Sequence, residues 1–216
     1  MAPSGFDDFA LSLKGYYNTG ELSDAVITWN TQVFKVHRIV LSAHSKYFAK
    51  ALNGHWKETS ERKIEINDFD YNVVEAMLSF MYSFDYTCAV DQYPMVFDAE
   101  VYQIADKYDI PALKACSKEN FASAITSGWD TDDFPIAVSF IYESTPLEDR
   151  GLRDLAVEVT RKNINKLLDR EDFQALLRKT PDFSADLIPF LVDRMPVMNR
   201  NWSPPRKRKS IFSRRS

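Results

Sequence analysis

The side chains of this 216-residue chain that could do chemistry are three histidines (His37, His44, His55), two cysteines (Cys88, Cys116) and close carboxylate pairs such as Glu58 with Glu61 and Asp68 with Asp70. A structural or catalytic zinc site needs four ligands, or three plus water, at recurring intervals. The histidines lack HExxH spacing, and no Asp, Glu or Cys stands where it would complete a tetrahedral set. A nucleophilic cysteine needs a partnering base and an electropositive niche. Cys116 instead shares a helical stripe with Leu113, as a small buried hydrophobe does. Carboxylates in loops are ordinarily solvated. No G-x-S-x-G, P-loop or dinucleotide fingerprint occurs, and six glycines leave little material for a phosphate cradle. The expectation is a protein with no catalytic residue, no cofactor and no bound metal.

Composition bounds the class. Hydrophobic residues make up 45% and charged ones 27%, the balance of a globular chain, and the length suits one compact module with a helical extension. No run approaches the ~18 apolar residues that a membrane span needs, and Asp7 and Asp8 stand where a signal peptide would be basic, so a chain of cytoplasm or nucleus with reduced cysteines is expected. The net charge of −4 hides an asymmetry: six of 27 basic residues lie in the last thirteen positions, leaving 21 against 31 acids before them. An acidic body does not suit a duplex-binding face, so any nucleic-acid contact falls to the tail. There, Arg206, Lys207, Arg208 and Lys209 read as a nuclear-import signal, with Ser210, Ser213 and Ser216 beside them as phosphorylation candidates.

The elements follow from periodicity. Phe6, Phe9, Ala10 and Leu13 form one helical stripe that must bury itself on something, whether a second chain or its own. Residues 24–29 and 32–36 read as two strands around an Asn30-Thr31 turn, and 62–68 alternate as a third, with Val26, Phe34 and Ile64 at the core. Residues 37–53 turn helical, with Ser45 placed to cap a second helix. Helical stripes recur at 71–82 and 101–108, and Pro111 opens another helix. Beyond the boundary candidate at Gly128 every apolar cluster is helical: Ile136, Ala137, Phe140 and Ile141, then Leu152 to Val159, then Phe173 to Leu177, then Ile188, Leu191, Val192 and Met195. Pro189 is expected in the first turn of that last helix.

Asp24-Ala25-Val26-Ile27, the run from Phe34 through His37-Arg38 to Tyr47-Phe48, Ile64 to Asp68 and Phe80-Met81-Tyr82 resemble a BTB/POZ domain, and residues 101–113 resemble the helix pair that closes one. The resemblance covers residues 21 to about 125. It implies an α+β fold, a small three-stranded sheet flanked by helices and followed by an all-helical extension similar to the kind called BACK. The chain divides on that reading into an N-terminal helical segment (1–20), the BTB/POZ domain (21–127), the BACK-like extension (128–198) and a disordered basic tail (199–216).

What the resemblance implies for function is a non-enzymatic interaction module. Asp24 and Arg38 match positions that form a charged pocket at the interface of many BTB homodimers, and Phe6, Phe9 and Leu13 belong to the same expected interface. Trp56-x-Glu58 matches a hydrophobic-x-Glu motif with which some BTB proteins hold the cullin scaffold of ubiquitin ligases. His37 matches a position that fixes the turn from strand to helix. The expected partners are a second copy or another BTB protein, a cullin and an unidentified client. The alternative is a nuclear scaffold or transcription-linked protein using its tail for import or DNA association. Nothing after the helical half looks like a Kelch propeller, a MATH sandwich or a zinc-finger array.

Overall fold

The computed structural model describes residues 5–53, 62–88 and 93–192, and the side chains of 8–53, 62–88 and 93–190. Trp56, Glu58, His55, Arg206, Lys207, Arg208 and Lys209 lie outside the described residues, as does the side chain of Phe6. The elements run α1 (Gly5–Lys14), β1 (Ala25–Trp29), β2 (Gln32–Val36), α2 (Arg38–His44), α3 (Lys46–Asn53), β3 (Lys63–Glu65), α4 (Tyr71–Ser83), α5 (Pro94–Lys107), α6 (Pro111–Ser127), α7 (Asp133–Ser144), α8 (Gly151–Leu167), α9 (Glu171–Lys179) and α10 (Pro181–Val192).

The strands make one sheet in the order β2-β1-β3. β1 and β2 form the expected hairpin, Trp29 opposite Gln32, with Asn30 at φ 48, a left-handed turn position that Asn tolerates. Ladder pairing places Ile27 opposite Phe34 and Ile64, and all three are buried. The sequence points to Val26 at this centre, but strand alternation turns it to the other face, where it is only half-buried, and Ile27 takes its place. β3 runs parallel to β1, which requires a crossover, and α2 and α3 supply it. At three residues β3 is shorter than the alternating 62–68 pattern.

α4 is apolar on nearly every side, from Val73 to Tyr82, and is the buried axis of this half. Ser45 caps α3 as expected: its Oγ accepts from the Phe48 N–H at 3.0 Å while its hydroxyl donates to the Tyr108 carbonyl at 2.5 Å. Ser45→Ala removes a cap and leaves a buried carbonyl unpaired, so a loss of about 2–3 kcal/mol is expected in urea unfolding. A loss below ~0.5 kcal/mol would mean that water replaces both bonds.

Two hydrophobic cores meet on one pair of helices. From α5 and α6, Phe97, Val101, Ile104 and Leu113, with Tyr108 from the turn between them, face the core that contains the sheet. Met95, Ala99, Tyr102, Phe121 and Ile125, from the same two helices, face a second core built with α7 to α10. The joint carries polar stitching too. Lys114 bonds both Asp106 (2.7 Å) and Asp149 (2.8 Å), and Asp149 also accepts from the Tyr102 hydroxyl and the Gly151 N–H. Against the burial that lowers it, those carboxylates hold the Lys114 ammonium above its ordinary pKa. Gly151 is required there, because a Cβ would collide with the Tyr102 hydroxyl oxygen. Gly151→Val is expected to lower the melting temperature by several degrees, measured by circular dichroism, and an unchanged value would mean that Tyr102 swings clear at no cost.

The last helix departs from expectation. α10 starts at Pro181, whose own position in the first turn is the favoured one, and Pro189 lies inside it. Without an N–H, Pro189 leaves the Ala185 carbonyl without its helical donor, tolerable because both residues are exposed to water. The buried face is Phe183 and Leu187, while Ile188 is 58% exposed.

Candidate interaction surfaces

Among the described residues no group of three His, Cys, Asp or Glu side chains comes together as a metal site, and no helix is long and apolar enough to cross a membrane. The Cys116 thiol is pushed up by burial and by the charges of Asp85 and Glu119, the wrong direction for a nucleophile. His44 lies against Phe80 and Phe84, and burial lowers its pKa.

His37 is a structural pin. Its Nε2 lies 2.7 Å from the Glu21 carbonyl, which can only accept, so Nε2 carries the proton. Nδ1 then accepts from the Tyr82 hydroxyl at 2.9 Å, and that same oxygen accepts from the His37 backbone N–H. Burial pushes the Tyr82 phenol up to about 12, so it stays a donor. The loop before β1, the β2–α2 junction and the buried α4 are thus held at one point.

Asp24 and Arg38 meet beside this pin, but not as a side-chain pair within one chain. Asp24 is exposed and its Oδ1 accepts from the Arg38 backbone N–H at 2.8 Å, at the start of α2 where a carboxylate suits the helix dipole. The Arg38 guanidinium turns the other way. Its Nη2 donates to the Leu52 carbonyl (2.8 Å) and to Asn53 Oδ1 (2.6 Å), holding the C-terminal end of α3. Asn53 in turn donates to Ser42 and to the Ala49 carbonyl. The root of the segment that bears Trp56 and Glu58 is therefore tied to Asp24 through Arg38.

Two large apolar side chains stand exposed beside the Asp24 to Arg38 bond. Leu22 and Ile39, each within two residues of it, are 81% and 79% exposed. On α1, Leu13 packs on the sheet core and the helix lies against α4, while Phe9 and Leu11 face water at 59% and 67%. The stripe read from the sequence is thus split: its Leu13 end is half-buried against its own chain and its Phe9 end is exposed. Leu11, Leu22 and Ile39 have no place in that reading, because each falls off the three-to-four spacing of its neighbours.

A second apolar surface lies on the helical half. Pro135, Ile136 and Phe140 of α7 and Ala175 and Leu176 of α9 line a groove of about 540 Å³, together with the charged Glu143, Asp172 and Lys179.

A small sheet wrapped by helices, with a crossover to a parallel third strand, is the frame that carries these surfaces. Residues 13–124 match the BTB/POZ domain, and the chain belongs to that family. It carries a protein-interaction module, and such modules are not enzymes. The chain is 33% identical over 104 residues to mouse Kelch-like protein 8, covering 48% of this chain and 16% of that protein. It is 26% identical over 175 residues to human Kelch-like protein 26, covering 81% of this chain and 26% of that protein. The chain therefore spans about a quarter or less of these relatives' lengths. The solved BTB domain of human gigaxonin matches at 24% identity and a TM-score of 0.42, covering 55% of this chain and 95% of that one.

Proposed function

We propose that this protein is a dimerising adaptor that holds a cullin scaffold of a ubiquitin ligase through Trp56 and Glu58 and presents a client to it. The supporting observation is that the similarity to a human Kelch-like protein extends over 175 residues, past the 13–124 match and into the helical half. The bracing of the α3 end by Arg38 suits the reading, since an anchor and an orienting carboxylate bind best from a fixed base. Dimerisation is assigned to Phe6, Phe9 and Leu13 of α1 with Asp24 and Arg38, and the exposed Leu11, Leu22 and Ile39 extend that face.

Titrating a purified cullin N-terminal domain against the full chain is expected to give saturable binding that falls at least tenfold in the Trp56→Ala, Glu58→Ala double variant. No binding by the wild type overturns the adaptor role, and binding that survives the double change overturns the site alone. Light scattering is expected to return twice the 24.9 kDa chain mass, with dissociation in a Phe9→Ser, Ile39→Ser variant. The six basic residues of the last thirteen support a second reading, a nuclear scaffold whose tail serves import or DNA association. For that reading DNA binding must weaken steeply with salt.

A further inference from the structure

Phe140 of α7 lines two different clefts. On one side is the apolar groove shared with α9, and on the other is a smaller cleft of about 330 Å³ between the sheet and the helical half. The smaller cleft is lined by Trp29, Asp68, Asp70, Glu100 and Gln103 as well as Phe140. Its charge is one-sided. Lys107 forms an ion pair with Asp68, but among the described residues no cation pairs with Asp70 or Glu100. Burial, and after it the nearby Asp70 charge, raises the Glu100 carboxyl above its ordinary range.

The chain itself holds a segment with the matching chemistry. Arg206-Lys207-Arg208-Lys209 is followed, one residue on, by Ile211-Phe212. Three extended residues span about 10 Å, and the two clefts adjoin at Phe140. The thirteen residues between Val192 and Arg206 can reach about 45 Å, against a radius of gyration of about 16 Å for a folded body of this size. The tether sets the local tail concentration in the millimolar range, so a contact too weak to matter between separate molecules is populated within one.

We propose that residues 206–212 dock on their own chain, the basic side chains in the Asp70 and Glu100 cleft and Ile211-Phe212 in the α7–α9 groove. The contact masks the basic run and covers the apolar surface of the helical half together. A phosphate on Ser210 would face Asp70 and Glu100 and release the tail.

A zero-length carbodiimide joins a lysine amine to a carboxylate only when the two touch, and an equimolar mixture of natural and 15N-labelled full-length chain separates links within one chain from links between two. The expected links, mapped by mass spectrometry, run from Lys207 or Lys209 to Asp70 or Glu100 and join peptides of one isotope. Their yield is expected to fall at least fivefold in Phe212→Ser, in Ser210→Glu and in 0.5 M salt, with circular dichroism unchanged. Links spread evenly over exposed acids such as Asp130 and Asp169 would overturn the proposal, as would a yield indifferent to Phe212→Ser. Links joining natural to labelled peptides would assign the cleft to the tail of a second copy and overturn docking within one chain.

Discussion

Arg153→Ala is expected to lower the unfolding free energy by about 3–5 kcal/mol and the melting temperature by about 10 °C. Arg153 is the largest fully buried side chain among the described residues, 2% exposed, in the middle of the second core. Its partners are a hydroxyl and two carbonyls: its Nε donates to Thr145 Oγ1 at 2.9 Å and its Nη2 to the carbonyls of Thr145 (2.5 Å) and Tyr142 (3.3 Å), so the guanidinium closes the C-terminal end of α7 from inside the protein. The charge lies over the Tyr142 ring at 4.4 Å, and Tyr142 in turn donates to Asp186, which also binds Arg150. Although burial opposes ionisation of Asp186, the bonds from Tyr142 and Arg150 hold its carboxyl below the ordinary range. Alanine at 153 would leave a cavity and unpaired helix-end carbonyls together. Arg153→Met separates the two losses, since it restores packing without donors, and about half of the stability is expected back. An alanine variant as stable as wild type in guanidinium unfolding would show that Arg153 caps nothing.

Asp98→Asn is expected to stabilise the protein, and only as pH rises toward and beyond about 6. Asp98 is buried, its Oδ1 accepts from the Tyr86 hydroxyl at 2.7 Å, and burial, with a lesser contribution from Asp133, raises its carboxyl to about 6. An unfolded aspartate titrates near ~3.9. The folded state therefore binds the proton more tightly, so this group favours folding fully below about pH 4 and its contribution is lost as pH rises through about 6. About two units correspond to about 3 kcal/mol at neutral pH. Asparagine keeps the shape and the acceptor for Tyr86 without the charge. The difference between the two proteins should be near zero at about pH 4 and grow to about 2–3 kcal/mol by about pH 7. A difference constant across that range would rule out Asp98 as its source.

Much of the fold was legible because local and tertiary demands agree. The period-two strands at 25–29 and 32–36, the Ser45 cap and the Pro111 start are short-range signals, and the surrounding packing reinforces each one. Legibility failed where tertiary context outvotes residue type. Arg153 interrupts an otherwise apolar stripe and reads as surface, because nothing local announces that α7 ends beside it. Pro189 reads as a helix start, since the penalty it carries inside a helix is relieved only by exposure, which sequence does not display. Asp24 and Arg38 were legible as neighbours, but the bonds each makes within the chain were not. The carboxylate serves a backbone N–H, and the guanidinium reaches 14 residues on to Leu52. Phe140 read simply as core, and its place between two clefts depends on how α7 lies against the sheet.

The two-sided use of α5 and α6 has a practical corollary for any fragment of this protein. A piece ending where the family match ends, at residue 124, would keep every described strand yet present Met95, Ala99, Tyr102 and Phe121 to solvent as a greasy flank. Such a piece should clump or recruit chaperones, and a self-association measured on it would report that wound and not the native pairing. Unfolding of the intact chain should correspondingly proceed as one event, because neither half owns the wall between them.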